Sequence, residues 1–278
     1  MENNKLVSPL RWPNGKKRNA TQIVSKFPKN TKEIRDINCT AGNISIASRY
    51  MFPEAKIWMN SVDSDIINFF KYASYYNFDV KKYIFKWMSE YKHKDLFDFC
   101  KEVIIKEKSK IIDTHYVKIA AAYFIINRLS YSGTMNGGYT EYNYENRLTL
   151  SSIDRLTSLD KFIQHNWMLT SMYWETLIES PSSFKDKDVL IYANTPYFHP
   201  SMQMYHKSES CGNLFDYEKL ANMLAQTQYN FMVTVDDSNY MRSLFGFANC
   251  VSESTLRGDN HEKSNKVIEK ELLYITNF

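Results

Sequence analysis

Cysteine is sparse and unpatterned in this chain. Cys39, Cys100, Cys211 and Cys250 never fall in a Cys-x-x-Cys spacing. That excludes the common zinc-ribbon and redox motifs and predicts reduced thiols and no structural metal. Long apolar runs are also missing: no stretch approaches the roughly 20 apolar residues that a membrane span needs. Residues 1–18 are polar and basic without an apolar centre, so no secretory leader is expected. There is no internal repeat and no low-complexity linker. Neither sign of charge dominates, with 35 Lys and Arg against 31 Asp and Glu and a formal net charge of +4. So mild a basic balance permits a nucleic-acid partner without demanding one. Together these absences predict a soluble protein of the cytoplasm, or of a host cytoplasm or nucleus if the chain is viral.

What is present is apolar and aromatic: 44% of the 278 residues are hydrophobic, with 20 Tyr and 17 Phe. This suits one large domain, or one with a sizeable insertion. The stretch Val189 to Phe198 organises the rest. Val189 to Tyr192 reads as a buried strand, which breaks into Asn194-Thr195-Pro196-Tyr197, because Pro196 has no N–H and cannot continue a central strand. A polar tetrad at the carboxyl end of a buried parallel strand is where open α/β sheets hold ligands. The Asn194 side-chain carbonyl and the backbone carbonyl after it can accept hydrogen bonds from a planar amine, and the Tyr197 ring can stack on the base that carries it. A strand ending in a proline turn with a buried tyrosine is the plainer reading.

Other segments suggest a nucleotide-type site. Pro9 to Arg18 packs Trp12, a turn, Lys16, Lys17 and Arg18 into a short loop, either ligand-binding or simply a basic arm. Ile34 to Ile46 reads as a strand, a turn Thr40-Ala41-Gly42-Asn43 and a helix from about Ser45, a place where backbone N–H groups face cofactors. Lys56 to Ser61 is a second strand, whose end, at Asn60 or Ser61 with Asp63 nearby, suits a ribose hydroxyl. Asp63 and Asp65 also suit the first turn of a helix. Residues 70–110 read as helical, and 112–129 as a buried helix. Asn127 to Gly133, with Asn136 to Tyr139, is loop-like and rich in groups that contact phosphates and splayed bases. Helices are predicted over 148–165, 173–179, 216–225 and 240–245. Strands are predicted over 167–170, 230–235 and 269–276, and 202–213 as irregular and mobile.

In order and spacing these segments resemble the Dam-type DNA adenine-N6 methyltransferases. Arg11-Trp12-Pro13-Asn14-Gly15-Lys16 is similar to the family's Trp-x-Gly-Gly-Lys loop, and Asn38-Cys39-Thr40-Ala41-Gly42-Asn43 to its Glu-Pro-Phe-x-Gly-Gly-Gly loop. Asn60-Ser61-Val62-Asp63 stands where the family has Asn-Asp-x-Asn. Asn127 to Gly133 resembles its Asn-Arg-x-Ser-Phe-x-Gly segment, and Asn194-Thr195-Pro196-Tyr197 its Asp-Pro-Pro-Tyr. Phe215-Asp216-Tyr217-Glu218-Lys219-Leu220 resembles Phe-Asp-His-Glu-x-Leu, and residues 271–278 resemble the closing Glu-x-Leu-Ile-x-Asn-Tyr.

The resemblance implies an α/β, Rossmann-like S-adenosylmethionine methyltransferase fold. Its mostly parallel sheet would be carried by 1–69 and 167–278, with a helical target-recognition insertion over 70–166. It implies Asn194, Thr195, Pro196 and Tyr197 as catalytic residues. Trp12, Lys16, Asn38, Thr40, Gly42, Asn60, Ser61, Asp63 and Asn194 would contact S-adenosylmethionine. Lys17, Arg18, Arg128, Ser130, Tyr131 and Asn136 would contact double-stranded DNA. It implies no metal and no membrane, and it leaves the oligomeric state open. Three departures go with it: one glycine survives in the cofactor loop, with Asn43 and Ile44 where close backbone approach favours glycine; Ser61 replaces an acid; and Thr195 replaces a proline, which predicts a looser turn. They support a second reading, a degenerate homologue that binds DNA or a protein partner without methylating.

Overall fold

The six residues of Val189–Asn194 form a strand with every side chain buried, and the parallel sheet is built outward from it. The structure, a computed structural model, describes residues 7–13, 15–160, 166–195, 215–258 and 267–278. Pro196 and Tyr197 of the tetrad, and the stretch 202–213, lie outside them. The chain divides into two compact units, one of Met1–Gly15, Thr40–Ile46 and Ser64–His165, the other of Lys16–Cys39, Ala47–Asp63 and Asn166–Phe278. The sequence places the helical insertion at 70–166; the helical unit starts at Ser64 and also takes the first 15 residues and the turn at 40–46.

The second unit holds the sheet. Its strands are β1 (Glu33–Asp36), β2 (Lys56–Asn60), β3 (Trp167–Thr170), β4 (Val189–Asn194), β5 (Asn230–Asp236), β6 (Asn249–Gly258) and β7 (Val267–Thr276). They lie in the order β3-β2-β1-β4-β5-β7-β6. β1 to β5 are mutually parallel, and β7 enters antiparallel to both β5 and β6. The order reverses between β1 and β4, the switch point at which sheets of this kind bind ligands. This is a Rossmann-like sheet with a reversed hairpin at its edge. The sequence marks the last strand but not β6. As an edge strand β6 has one side against solvent, and Asn249, Val251 and Ser254 are exposed, so its alternation carries little apolar signal.

Helices cover both faces of the sheet. On one, Ile191, Ala193, Phe231 and Val233 pack against α9 (Trp174–Glu179), α10 (Tyr217–Gln226) and α11 (Asn239–Leu244) through Leu177, Leu220, Leu224 and Met241. On the other, Tyr192 meets Phe27, just beyond α1 (Ala20–Ser25), with ring centroids 5.8 Å apart. The starts of α10 and α11 are fixed by capping: Asp216 accepts from the Lys219 N–H and Ser238 from the Met241 N–H. α2 (Asn43–Met51) follows the turn after β1.

The helical unit is built on α6 (Tyr116–Leu129), buried from Ile119 onward. Around it pack α3 (Ser64–Tyr75), α4 (Asn77–Glu90) and α5 (His93–Lys108). Phe69 of α3 lies 5.7 Å from Tyr123 and 6.4 Å from Phe124. α7 (Glu141–Arg147) and α8 (Leu150–Asp154) complete it, each capped by a threonine, Thr140 and Thr149. Among the described residues no helix is long and apolar enough to cross a membrane.

Candidate functional site

β4 delivers Asn194 to the carboxyl edge of the sheet, where it is 7% exposed and aligned with Thr234 of β5. Thr195 follows, buried. A looser turn is expected from threonine in place of proline, but its hydroxyl donates to the Thr234 carbonyl at 3.3 Å and bonds the Tyr217 hydroxyl. Burial pushes the Tyr217 phenol up, and the Thr195 bond opposes that rise. Below them the Tyr192 and Thr234 hydroxyls are 2.8 Å apart. The turn is thus tied to β5 and α10 by side-chain bonds at its first residue.

The neighbouring strand ends are held by Asn60. Its Nδ2 donates to the Ile37 and Met172 carbonyls, both at 3.0 Å, and its Oδ1 accepts from Thr170 Oγ1 at 2.8 Å and the Met172 N–H at 3.0 Å. All four hydrogen-bonding positions of the amide are filled. Ser61 is buried, and its hydroxyl accepts from the Asp63 N–H at 3.2 Å. Asp36, which the sequence reading passes over, ends β1 in register with Tyr192 and is 2% exposed. Burial, then Asp36, then Asp63 push the Cys39 thiol well up, so two carboxylates bear on the carboxyl ends of β1 and β2. An acid closing a short buried strand is the signal that could have found Asp36. Asn38 is half-buried. Lys16 is buried in the left-handed region at φ 53°, a conformation that non-glycine residues hold only where the surroundings enforce it.

In the helical unit, Gly42 takes φ 69° at the turn before α2. A Cβ built on Gly15 would sit 3.2 Å from Ala41 Cβ and 3.1 Å from the Trp12 carbonyl, so the Trp12 loop approaches the turn at a distance that favours glycine. Asn43 accepts from the Ser8 N–H at 3.2 Å and donates to the Gly15 carbonyl at 2.7 Å, and Ile44 is buried. Both side chains are taken up by packing. Thr40 and Trp12 are half-buried.

Asn127 clasps the backbone of Arg11: its Oδ1 accepts from the Arg11 N–H at 2.8 Å, and its Nδ2 donates to the carbonyls of Arg11 at 2.8 Å and Gly133 at 2.6 Å. Gly133 has φ 79°, and a Cβ there would stand 2.6 Å from Arg11 Cβ. The Asn-Arg-x-Ser-x-x-Gly pattern is therefore a docking turn for Arg11.

The model of the D12 class N6 adenine-specific DNA methyltransferases matches residues 12–258. The chain belongs to this family. The match runs through both units, and no curated protein matches the chain. Membership brings adenine in DNA as the family's substrate class. In this D12-class chain Lys17, Arg18, Tyr131 and Asn136 are exposed, while Arg128 and Ser130 are buried. The Ser130 carbonyl accepts from Asn143 at 2.7 Å. Among the described residues no cluster of three His, Cys, Asp or Glu could hold a metal ion.

Proposed function

We propose that this chain transfers a methyl group from S-adenosylmethionine to the N6 amine of adenine in DNA. The observation that carries the reading is the tethered Asn194-Thr195 turn at the switch point of the sheet, beside a strand that ends in Asp36. Asn194 Oδ1 and the Thr195 carbonyl accept the N6 hydrogens and stabilise the positive charge that develops on nitrogen. Because the Thr195 hydroxyl is anchored, those acceptors are preorganised. Tyr197 stacks on the extruded base.

The donor set at the ends of β1 and β2 fits the cofactor: Asp36 and Asp63 supply carboxylates, acceptors suited to ribose hydroxyls and to an ammonium group. S-adenosylmethionine, when bound, supplies the electrophilic methyl group. Asn60 holds the strand ends in place, and Asp63 takes the ribose role that Ser61, whose hydroxyl serves the Asp63 N–H, leaves open. Trp12, Lys16, Asn38, Thr40 and Gly42 remain proposed cofactor contacts. Lys17, Arg18, Arg128, Ser130, Tyr131 and Asn136 remain proposed contacts to double-stranded DNA, with the helical unit as the target-reading part.

The test is transfer of labelled methyl to unmethylated DNA. Wild type should be active, and Asn194→Ala should lose on the order of 100-fold in turnover, as for removal of one preorganised acceptor. Asp63→Asn should weaken the cofactor by about 1.5–3 kcal/mol in calorimetry. The engaged Asn60 and Ser61 favour a second reading, a homologue that binds DNA without turnover. It gains if wild type is silent and S-adenosylmethionine at millimolar concentration leaves the melting temperature unmoved, since a ligand at 100 times its Kd stabilises by about 2.7 kcal/mol. It is then secured if Ser61→Asp restores neither binding nor transfer.

A further inference from the structure

Thr195 stands where the family pattern has proline, and Tyr217 where it has histidine. The two departures meet in the structure. Side chains of β4 alternate between the faces of the sheet. Tyr192 and Asn194 fall on one face, Ile191 and Ala193 on the other, which α10 covers. Thr195 continues this second face and is 2% exposed.

Tyr217 is the first residue of α10 and packs against the same core. Its neighbours in sequence hold it there. Asp216 caps the helix through the Lys219 N–H at 2.8 Å, and the Phe215 ring stands edge-on to Tyr217 at 5.0 Å. The Tyr217 hydroxyl bonds the Thr195 hydroxyl. A threonine hydroxyl has one hydrogen, and here it goes to the Thr234 carbonyl at 3.3 Å. Thr195 Oγ1 is therefore the acceptor and Tyr217 the donor. The chain runs from α10 through Thr195 to the backbone of β5, and neither hydroxyl hydrogen is left unused.

Proline stiffens a turn by fixing its own φ. Threonine does not, so a turn that carries it must be held from outside. Two hydrogen bonds on one hydroxyl pin the Thr195 side chain between β5 and α10 and restrict the swing of its peptide. We propose that Tyr217 is a positioning residue for methyl transfer: acting through Thr195, it fixes the Asn194 and Thr195 acceptors, and the pair supplies the stiffness that a proline would give. The role rests on the proposed transfer to adenine N6; the pair rests on the geometry alone. A residue of this kind acts on the orientation of the reacting groups, so its loss belongs in kcat and not in KM.

The experiment is a double-mutant cycle on the full chain. Tyr217→Phe keeps the ring and removes only the hydroxyl; Thr195→Val removes the other half of the pair. In urea unfolding, Tyr217→Phe should lower the midpoint of wild type and leave that of Thr195→Val unmoved. In transfer of labelled methyl to unmethylated DNA, Tyr217→Phe should lower kcat about tenfold, the worth of one hydrogen bond, with KM unchanged. Adding Thr195→Pro to Tyr217→Phe should recover most of that loss, because proline holds the turn without the bond. If Tyr217→Phe lowers the midpoint equally in both backgrounds, there is no pair. If the two are coupled but kcat does not fall, or falls and is not restored by proline, Tyr217 serves stability alone and the positioning role is wrong. A wild type that transfers no methyl while the unfolding stays coupled overturns the transfer reading and leaves the pair as a clamp on the turn.

Discussion

Among the described residues two arginines are buried, one in each unit, and their surroundings are opposite. Arg35 on β1 is fully buried with a complete set of partners. Its Nε donates to Glu33 at 2.6 Å, and its Nη1 donates to the Leu177 carbonyl at 2.5 Å and the Ser180 carbonyl at 2.7 Å. The Trp58 and Tyr229 rings lie 5.3 and 4.7 Å away. It thereby satisfies carbonyls left open at the end of α9. Arg128 is as deeply placed, yet its charged neighbours are three cations. Burial does not distinguish the two; the sign of what surrounds them does. A cation closed within its own acid and carbonyls holds the fold, whereas one held among like charges adds their repulsion to the cost of burial.

The largest effect should come from breaking the complete shell. Arg35→Met leaves Glu33 with the half-exposed Lys56 at 3.3 Å and the Ser182 hydroxyl at 3.2 Å, and frees the α9 carbonyls. It should cost about 3–5 kcal/mol in urea unfolding. Next is Gly133→Ala, which puts a Cβ 2.6 Å from Arg11 Cβ at φ 79°. A loss of about 1–3 kcal/mol is expected, because Arg11 must move. Arg128→Met removes the repelled cation and should change stability by less than about 1 kcal/mol. A cost equal to that of Arg35→Met in the same unfolding assay would erase the contrast.

The smallest effect is at the surface of the sheet unit. Arg242 donates to both oxygens of Asp237 at 2.7 and 2.6 Å and holds this carboxyl below its usual range, burial opposing. Because the folded pKa is depressed, the contribution is full above the unfolded carboxylate value of about 3.9 and is lost as the pH falls through the folded one. Half of the pair is exposed and screened, so Asp237→Asn should cost no more than about 1 kcal/mol at pH 7. That difference should shrink to nothing in acid.

The sheet was legible where strands are buried on both faces. Val189 to Asn194 and Asn230 to Val235 read as apolar runs because no solvent-facing residue interrupts them. β6 was not, since an edge strand alternates polar and apolar with no core to enforce the contrast. The site was legible as positions and less so as roles. Asn60 has the residue type of a ligand, but its four hydrogen bonds join segments more than a hundred residues apart in the chain, which no local pattern reveals. Thr195 looked like a weakened proline because its partners, Thr234 and Tyr217, come from the following strand and helix. Asp36 and the surroundings of Arg128 were hidden for the same reason: their meaning lies in neighbours brought by folding.

The position of β7 also makes two sheet edges depend on one strand. β7 alone joins β6 to the rest of the sheet. Without it β6 has no neighbour, while β1 to β5 can still pair with one another. The unpaired edge of β6 is then open to other chains, as is that of β5. Limited proteolysis of a variant in which prolines at Leu273 and Ile275 block β7 pairing should therefore cut β6 while sparing β4.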